Sequence, residues 1–276
     1  MNSTRAAPIY DSASQNYPAI EEAKEALRYR HLIQQIVRRN VIARYKRSFL
    51  GVAWTMLNPL GMMMVKVIVF SAIFGRDPTY PAYVLSGLLA FSFFSEATNT
   101  TIGNLVWGGN LLKRIYIPPS VFAIGSVGTS MVNLALSTIP LIIVVIVVGL
   151  PIKTTILFLP ISVLLLSLFS LGFGMVLSTF SVYYPDIAEM YKVVLRAWLY
   201  LTPVIYPEDI LPDIVLQWVR ILNPMYHLVR IFRYPIYNGK IPTMVDFIPG
   251  LIISVVMFLI GWAIFSRKAH EFAYRA

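Results

Sequence analysis

The stretch Arg38–Leu60, RRNVIARYKRSFLGVAWTMLNPL, joins a strongly basic segment to the beginning of a long apolar run. A basic segment beside an apolar run is typical of chain that stays at the cytoplasmic surface of a membrane. The apolar half begins a run that is long enough to cross a bilayer. We therefore place the entry of the chain into the membrane at Ser48–Val52, and the rest of the sequence can be oriented from that point.

The composition of the whole chain is that of an integral membrane protein. Of the 276 residues, 57% are hydrophobic and 13% are charged, and the mean hydropathy is +0.68. Soluble domains have a smaller hydrophobic fraction and a larger charged fraction. The net charge of +10 comes from residues beside apolar runs, which favours anionic lipid headgroups over nucleic acid as the partner. The absence of cysteine from the sequence excludes disulfides, thiolate nucleophiles and cysteine metal sites.

Six apolar segments have the length of membrane spans, since about 20 helical residues cross a hydrocarbon core of about 30 Å. They cover residues 52–74, 82–102, 120–150, 155–180, 187–205 and 247–265. We therefore predict an all-α transmembrane domain over residues 25–276. Residues 1–24 contain no apolar run, so we expect a disordered cytoplasmic tail there and no cleavable signal peptide.

A helical period precedes the first span. The apolar residues Tyr29, Leu32, Ile33, Ile36, Val37 and Val41 recur at steps of three and four, with basic and polar side chains on the opposite face. The pattern predicts an amphipathic helix over Arg28–Val41, lying in the inner membrane surface with its apolar face toward the acyl chains. A helix that packs on a partner is the alternative.

The segment Pro207–Asp246, between the fifth and sixth spans, is too long for a structureless connection. It predicts two short helices, Ile210–Leu222 and Met225–Tyr234, with a break at Asn223-Pro224. Neither helix is long enough to cross the bilayer, so we expect both to be re-entrant or to lie on the surface.

The distribution of Lys and Arg orients the chain. If the N-terminus is inside, the inner segments carry sixteen of these residues and the outer segments carry six. This asymmetry predicts that both termini are cytoplasmic.

No group of catalytic residues stands out. His31, His227 and His270 lie on different segments, which argues against a metal site. The sequence has no G-x-x-x-x-G-K-[ST] phosphate loop, so a driven transporter would take its energy from a partner or an ion gradient. Asp186 and Glu189 form a close acidic pair beside a membrane end. They leave an integral-membrane glycan or acyl transferase as the alternative from a different functional class.

Two charged residues, Lys66 and Glu96, lie inside the first and second predicted spans. Charges at membrane depth are costly and usually face a cavity or one another. We predict that they form a polar patch on a substrate pathway, with an inter-helix pair or an outward-reaching lysine as the alternatives. We add Phe70, Trp198 and Tyr200 to this predicted pathway, although an aromatic belt at the interfaces would also explain aromatic residues here.

The inner segment Asn104–Pro119, between the second and third spans, combines Lys113-Arg114 with a stop at Pro118-Pro119. It predicts a short cytoplasmic helix against which a soluble partner could push. A plain positively charged inner loop is the alternative.

These motifs, in their order and spacing, resemble the ABC-2 type membrane permeases that export cell-surface polysaccharides. The matching pieces are Leu32–Arg47, Ser48–Trp54, Leu57–Leu60, Asn110–Pro118, Tyr184–Asp186, Thr202–Pro207, Asn223-Pro224 and Arg233–Gly239. The resemblance extends from about residue 27 to the C-terminus.

The resemblance implies a six-span homodimer in the bacterial cytoplasmic (inner) membrane, bound to two copies of a separate ATPase subunit. That subunit would hold ATP and Mg, so this chain itself would be no enzyme and would carry no cofactor. The cargo would be an undecaprenyl-linked glycan, with O-antigen preferred over teichoic acid or capsule. A permease for a lipid or a drug is the nearest alternative.

The resemblance also implies roles for particular residues. A coupling helix that docks on the ATPase would be formed by Asn110, Leu111, Leu112, Lys113, Arg114, Ile115 and Tyr116. The pathway would run between the two copies and be lined by the first and fifth spans. The lipid pyrophosphate or headgroup would meet the basic residues Arg38, Arg39, Arg44, Lys46 and Arg47.

Overall fold

A computed structural model of the chain describes residues 18–46, 51–74, 77–106 and 117–275. These residues form helices and no strands, which confirms the predicted all-α class. The helices are α1 (Pro18–Arg28), α2 (Arg30–Tyr45), α3 (Ala53–Phe74), α4 (Tyr80–Val106), α5 (Pro119–Val147), α6 (Leu159–Tyr183), α7 (Asp186–Leu201), α8 (Asp213–Leu222), α9 (Pro224–Arg233) and α10 (Met244–Arg275). Short 3-10 turns cover Thr154–Phe158 and Glu208–Ile210, and a π-turn covers Tyr234–Asn238.

Helix α4 forms the centre of the bundle. It packs against α5 on one side and α6 on the other, and α6 in turn packs against α10. Small residues such as Ala90 and Ala97 are completely buried along α4, as are Leu85 and Phe94. The bundle core therefore surrounds a helix that faces protein over most of its length.

Among the described residues, four helical segments are long and apolar enough to cross a membrane: Ala53–Ser71, Pro119–Val147, Thr154–Tyr183 and Met244–Ala269. They correspond to the predicted first, third, fourth and sixth spans. Helix α4, the predicted second span, has 27 residues, but polar side chains interrupt its apolar sequence. Helix α7, the predicted fifth span, has 16 residues, fewer than the roughly 20 that a perpendicular crossing needs.

Helix α1 corrects the predicted tail, because residues 18–24 are helical rather than disordered. Two contacts hold this helix on the bundle. The indole N–H of Trp262 on α10 donates a hydrogen bond to the Ala19 carbonyl at 3.0 Å, and the buried Glu22 carboxylate accepts one from the Ser120 amide at 3.1 Å. The earlier part of the predicted tail, residues 1–17, lies outside the described residues.

Helix α2 also differs from its prediction. Its apolar face does not point toward acyl chains, because Ile36 is buried against Val121 and Phe122 of α5. Asn40 strengthens this contact by donating to the Thr129 hydroxyl at 3.5 Å. The predicted amphipathic helix exists, but its apolar face packs on a helix of its own chain rather than on acyl chains or on a partner protein.

Helices α6 and α10 cross with their backbones in close contact. A Cβ atom added at Gly172 would overlap the Met257 carbonyl, and one added at Gly261 would overlap the Gly172 carbonyl. Small residues allow such close approach between membrane helices, where van der Waals packing and polar contacts replace the hydrophobic effect.

The segment between α7 and α10 contains the two short helices that the sequence predicts, α8 and α9. Asn223 does more than separate them. Its side-chain oxygen accepts from the Met225 amide at 3.1 Å and so caps α9. Its side-chain amide donates to the Leu201 carbonyl and to the Thr202 hydroxyl, at 3.1 and 2.9 Å. One asparagine thus joins the end of α7 to the beginning of α9.

Candidate functional site

A polar cavity of about 630 Å³ opens between α3, α4, α5 and α7. Its polar lining residues are Thr55, Asn58, Lys66, Ser92, Ser95, Glu96, Asn99, Ser130, Asn133, Ser137, Lys192 and Arg196. Polar groups are costly at membrane depth and are concentrated where a chain lines a pathway. This cavity is therefore the candidate functional site, which we call the central cavity.

The structure brings the two predicted intramembrane charges together in the central cavity. Lys66 of α3 is only 9% exposed, and Glu96 lies opposite it on α4. One oxygen of the Glu96 carboxylate accepts a hydrogen bond from the Asn133 amide of α5 at 2.8 Å. Within the described part of the chain, no ion pair joins Lys66 to Glu96.

Pro59 shapes the entrance of the cavity. A proline has no amide N–H, so the Thr55 carbonyl one turn earlier loses its usual helical donor. The hydroxyl of Ser137 on α5 donates to this carbonyl at 3.0 Å. The proline in α3 is thus compensated by a side chain from a neighbouring helix, and both lie at the cavity wall.

Helix α7 contributes two cations, Lys192 and Arg196, that the pathway prediction did not include. Their spacing of four residues places both on one face of the helix, a signal that could have identified them. Lys192 already forms an ion pair with Glu189 at 2.6 Å, so among the described lining residues Lys66 and Arg196 exceed the carboxylate of Glu96 by one cation. This small excess of positive charge favours an anionic group at this cavity.

The other predicted pathway residues do not line the central cavity. The Trp198 indole N–H donates to the Asn223 side chain at 2.8 Å, and its ring packs edge-on against Phe94 with centroids 5.3 Å apart. Phe70 packs against the core of the bundle, and Tyr200 is mostly exposed. Their contact with a substrate stays a prediction.

The predicted headgroup residues Arg38, Arg39 and Lys46 are exposed, as a role at a membrane surface requires. The side chain of Arg44 and all of Arg47 lie outside the described residues, as does the predicted coupling segment, residues 110–116. The acidic pair considered for a transferase lies in the first turn of α7, where Glu189 forms an exposed ion pair with Lys192 at 2.6 Å.

Comparisons with known proteins agree with the resemblance of the motifs. The chain is 30% identical to the O-antigen export system permease protein RfbA of Myxococcus xanthus, over 92% of this chain and 98% of that protein. It is 24% identical to the RfbA protein of Klebsiella pneumoniae, over 88% and 93% of the two chains. It is 22% identical to the polysialic acid transport protein KpsM of Escherichia coli, over 86% and 93%.

A match to a family model identifies the protein family to which the chain is similar. The model described as ABC-2 type transporter matches residues 31–237, from helix α2 to the π-turn after α9. This match covers well over half of the chain and includes all four helices that line the central cavity. The chain belongs to the ABC-2 type transporter family.

Proposed function

We propose that this chain is the permease subunit of an ABC transporter that exports a lipid-linked cell-surface polysaccharide, with O-antigen as the preferred cargo. The observation that carries the proposal is the nearly full-length similarity to a protein named as an O-antigen export permease. The central cavity, which polar residues line between apolar helices, supplies one wall of a path for a polar cargo.

The charge of the central cavity fits such a cargo. Lys66 lies at its buried wall, whereas Lys192 and Arg196 are exposed at its rim. The undecaprenyl carrier ends in phosphate groups, which the buried Lys66 and the exposed Arg196 at the rim would attract. The exposed basic residues Arg38 and Arg39 of α2, and Lys46 directly after it, form a separate positive surface at which such a carrier would first bind.

We infer that the subunit crosses the membrane six times, with both termini in the cytoplasm. The four apolar spans supply four crossings, and α4 and α7 would supply the second and fifth. Helix α4 packs between α5 and α6. Its polar residues are either buried in the bundle, as Thr98 and Thr101 are, or line the central cavity, as Ser95 and Glu96 do. Because α7 is short, its crossing would be completed by the turn that follows it, and α8 and α9 would enter the outer leaflet without crossing.

We infer further that two copies assemble with two ATPase subunits. Helix α3 exposes a row of large apolar side chains, among them Val65, Ile68 and Val69, beside the open side of the central cavity. A second copy placed there would cover this row and close the cavity into a pathway between subunits. The ATPase, which would hold ATP and Mg, is proposed to dock on residues 110–116.

Deletion of the gene in its host tests the proposed function. We expect loss of surface polysaccharide and accumulation of lipid-linked glycan at the inner face of the cytoplasmic membrane, both reversed by the plasmid-borne gene. Unchanged surface polysaccharide in the deletion strain would refute the proposed function. Accumulation of a different lipid instead would support a lipid permease.

A further inference from the structure

A second cavity, of about 490 Å³, lies between the beginning of α4, the segment after α7 and the end of α9. We call it the outer cavity, because the proposed orientation places it on the external side. None of its lining residues lines the central cavity. Four tyrosines, three carboxylate residues and two arginines contribute to its wall. Its volume lies within the range of about 300–1,000 Å³ that is usual for small-molecule sites.

The tyrosine rings of the outer cavity are held in place by their hydroxyl groups. The Tyr80 hydroxyl donates to the Ile205 carbonyl at 2.7 Å, and the Tyr83 hydroxyl donates to the Tyr206 carbonyl at 3.1 Å. Tyr237 packs edge-on against Tyr83 with centroids 5.4 Å apart. Rings fixed in this way can receive a ligand without first losing conformational freedom.

The two arginines of the outer cavity are occupied by the protein itself. Arg230 forms ion pairs with Glu208 and with Asp246, the latter at 3.2 Å. Arg233 donates to the backbone carbonyls of Pro203 and Val204, at 3.1 and 3.2 Å. Neither guanidinium is therefore available as a free cation for an anionic ligand.

Two carboxylates of the outer cavity, Asp77 and Asp209, remain as acceptors. Within the described residues neither forms an ion pair. One oxygen of Asp77 accepts from the amide and hydroxyl of Thr79, each at 2.8 Å, and Asp209 is exposed at the rim. Among the described lining residues three carboxylates outnumber two arginines by one, so this lining disfavours anions while offering hydrogen-bond acceptors beside aromatic rings.

We propose that the outer cavity binds a neutral sugar residue of the exported glycan. This inference rests on the proposed function, which supplies a glycan on this side of the membrane. A sugar ring presents apolar C–H faces that pack on tyrosine rings, and hydroxyl groups that donate to carboxylates. Asp77 and Asp209 accept these hydroxyls, and Tyr237 supports the ring. The repulsion of anions selects a neutral sugar over a phosphate.

Binding to the assembled transporter tests this site. The transporter, purified with its ATPase subunit, is placed in lipid nanodiscs free of glycoside detergents. The probe is the set of oligosaccharides released by mild acid from the surface polysaccharide of the same host. We expect binding by the wild-type transporter, and a loss of affinity of about tenfold or more in Tyr237→Ala, which removes the ring that supports the sugar, with a smaller loss of about threefold in Asp209→Ala at the exposed rim.

Matched variants separate recognition from folding. Asp213→Ala removes an exposed carboxylate on α8 outside the cavity and should bind like the wild type. Tyr237→Phe keeps the ring but removes the hydroxyl that contacts the Thr79 hydroxyl at 2.9 Å, so it should lose less affinity than Tyr237→Ala. Absence of binding by the wild type would overturn the inference. So would an affinity in Asp209→Ala and Tyr237→Ala that equals the affinity of the wild type. Affinity that falls steeply with salt would show an anionic ligand and overturn the neutral assignment.

Failure of the proposed sugar site can be distinguished from failure of the proposed function. If gene deletion removes surface polysaccharide and the cavity variants bind as the wild type does, only this site is wrong. If deletion leaves the surface polysaccharide intact, the proposed function fails and the sugar site fails with it.

Discussion

The guanidinium of Arg233 lies over the ring of Tyr83, 3.7 Å from the ring centroid. Arg233 is almost completely buried and also donates to the carbonyls of Pro203 and Val204. Gly87 on α4 leaves room for it, because a Cβ atom there would overlap one guanidinium nitrogen. Arg233 therefore joins α9, α4 and the chain that follows α7 at one point.

Replacing Arg233 by leucine should destabilise the protein strongly. The change removes the donor of the Val204 carbonyl, leaves the Pro203 carbonyl with only the Tyr83 hydroxyl at 3.3 Å, and removes the cation–π contact. We therefore expect a loss of about 2–4 kcal/mol in the free energy of unfolding. Gly87→Ala should destabilise the protein in the same direction by displacing the guanidinium. Thermal unfolding in nanodiscs measures both effects, with the exposed Arg39→Leu as the control. A melting temperature unchanged from the wild type in Arg233→Leu would contradict this role.

Glu96 provides a test of the central cavity. Glu96→Ala should impair polysaccharide export while the amount of protein in the membrane stays the same, because the carboxylate lines the cavity rather than the bundle core. Export is measured as surface polysaccharide, and membrane abundance by immunoblot. Glu21→Ala, which removes an exposed carboxylate on α1, serves as the control. A parallel loss of abundance and export would show a structural role instead.

The stabilisation that the hydrogen bond from Ser137 to the Thr55 carbonyl provides should depend on the presence of Pro59. Ser137→Ala should lower the free energy of unfolding by about 1–3 kcal/mol, since a carbonyl loses its donor. In a Pro59→Ala background the alanine amide can supply the helical hydrogen bond, so the same substitution should cost less. A double-mutant cycle measures this coupling. Strictly additive effects of the two substitutions would refute it.

The close crossing of α6 and α10 should tolerate no side chain at Gly172. Gly172→Ala should destabilise the protein by about 1–3 kcal/mol, because the added methyl overlaps backbone atoms that cannot rotate away. Gly103→Ala on α4 is the matched control, since nothing lies within 4 Å of its Cβ position. Helix propensity alone would make the control neutral or stabilising by up to about 1 kcal/mol. Equal melting temperatures for the two variants would contradict the crossing.

Docking of α1 should depend on pH through Glu22. Burial raises the pKa of the Glu22 carboxyl above its ordinary value of 4.5, and the hydrogen bonds from Ser120 offset only part of this effect. The docked state therefore holds a proton more tightly than the undocked state. Docking is most stable below about pH 4.5 and weakens as the pH rises through the raised pKa.

Spin-label distances can follow this docking, because the sequence contains no native cysteine. Labels at Leu27→Cys on α1 and Arg267→Cys on α10, both exposed positions, should show a broader distance distribution at pH 8 than at pH 4. Glu22→Gln, which cannot ionise but still offers an acceptor to Ser120, should remove this pH dependence. The same pH response in the glutamine variant would assign it to another group.

The apolar spans and the two outer helices were predictable because each leaves a local signal. Runs of apolar residues mark α3, α5, α6 and α10, and Asn223-Pro224 marks the break between α8 and α9. The packing of α2 was not predictable from its own sequence, because an apolar face fits acyl chains and a neighbouring helix equally well. The partner of Ile36 lies on α5, more than 80 residues later in the chain.

The central cavity was predictable only in part. Lys66 and Glu96 stand out as charges within apolar segments, so the sequence identifies them at once. Lys192 and Arg196 were instead explained by the excess of Lys and Arg on the cytoplasmic side, so there was no separate reason in the sequence to place them in the cavity lining. The roles of Asn223 and Ser137 depend on backbone groups that distant parts of the chain bring near, and no spacing along the sequence reveals them.

The hydrogen bond between Trp262 and Ala19 joins residues 243 positions apart. Since synthesis proceeds from the N-terminus, α1 leaves the ribosome first, and α10 is the last helix to be made. Helix α1 can therefore meet Ser120 of α5 early, but its contact with α10 forms only after most of the subunit has been made. A subunit truncated before Trp262 would leave its first helix with the Glu22 contact but without the hydrogen bond that ties it to α10.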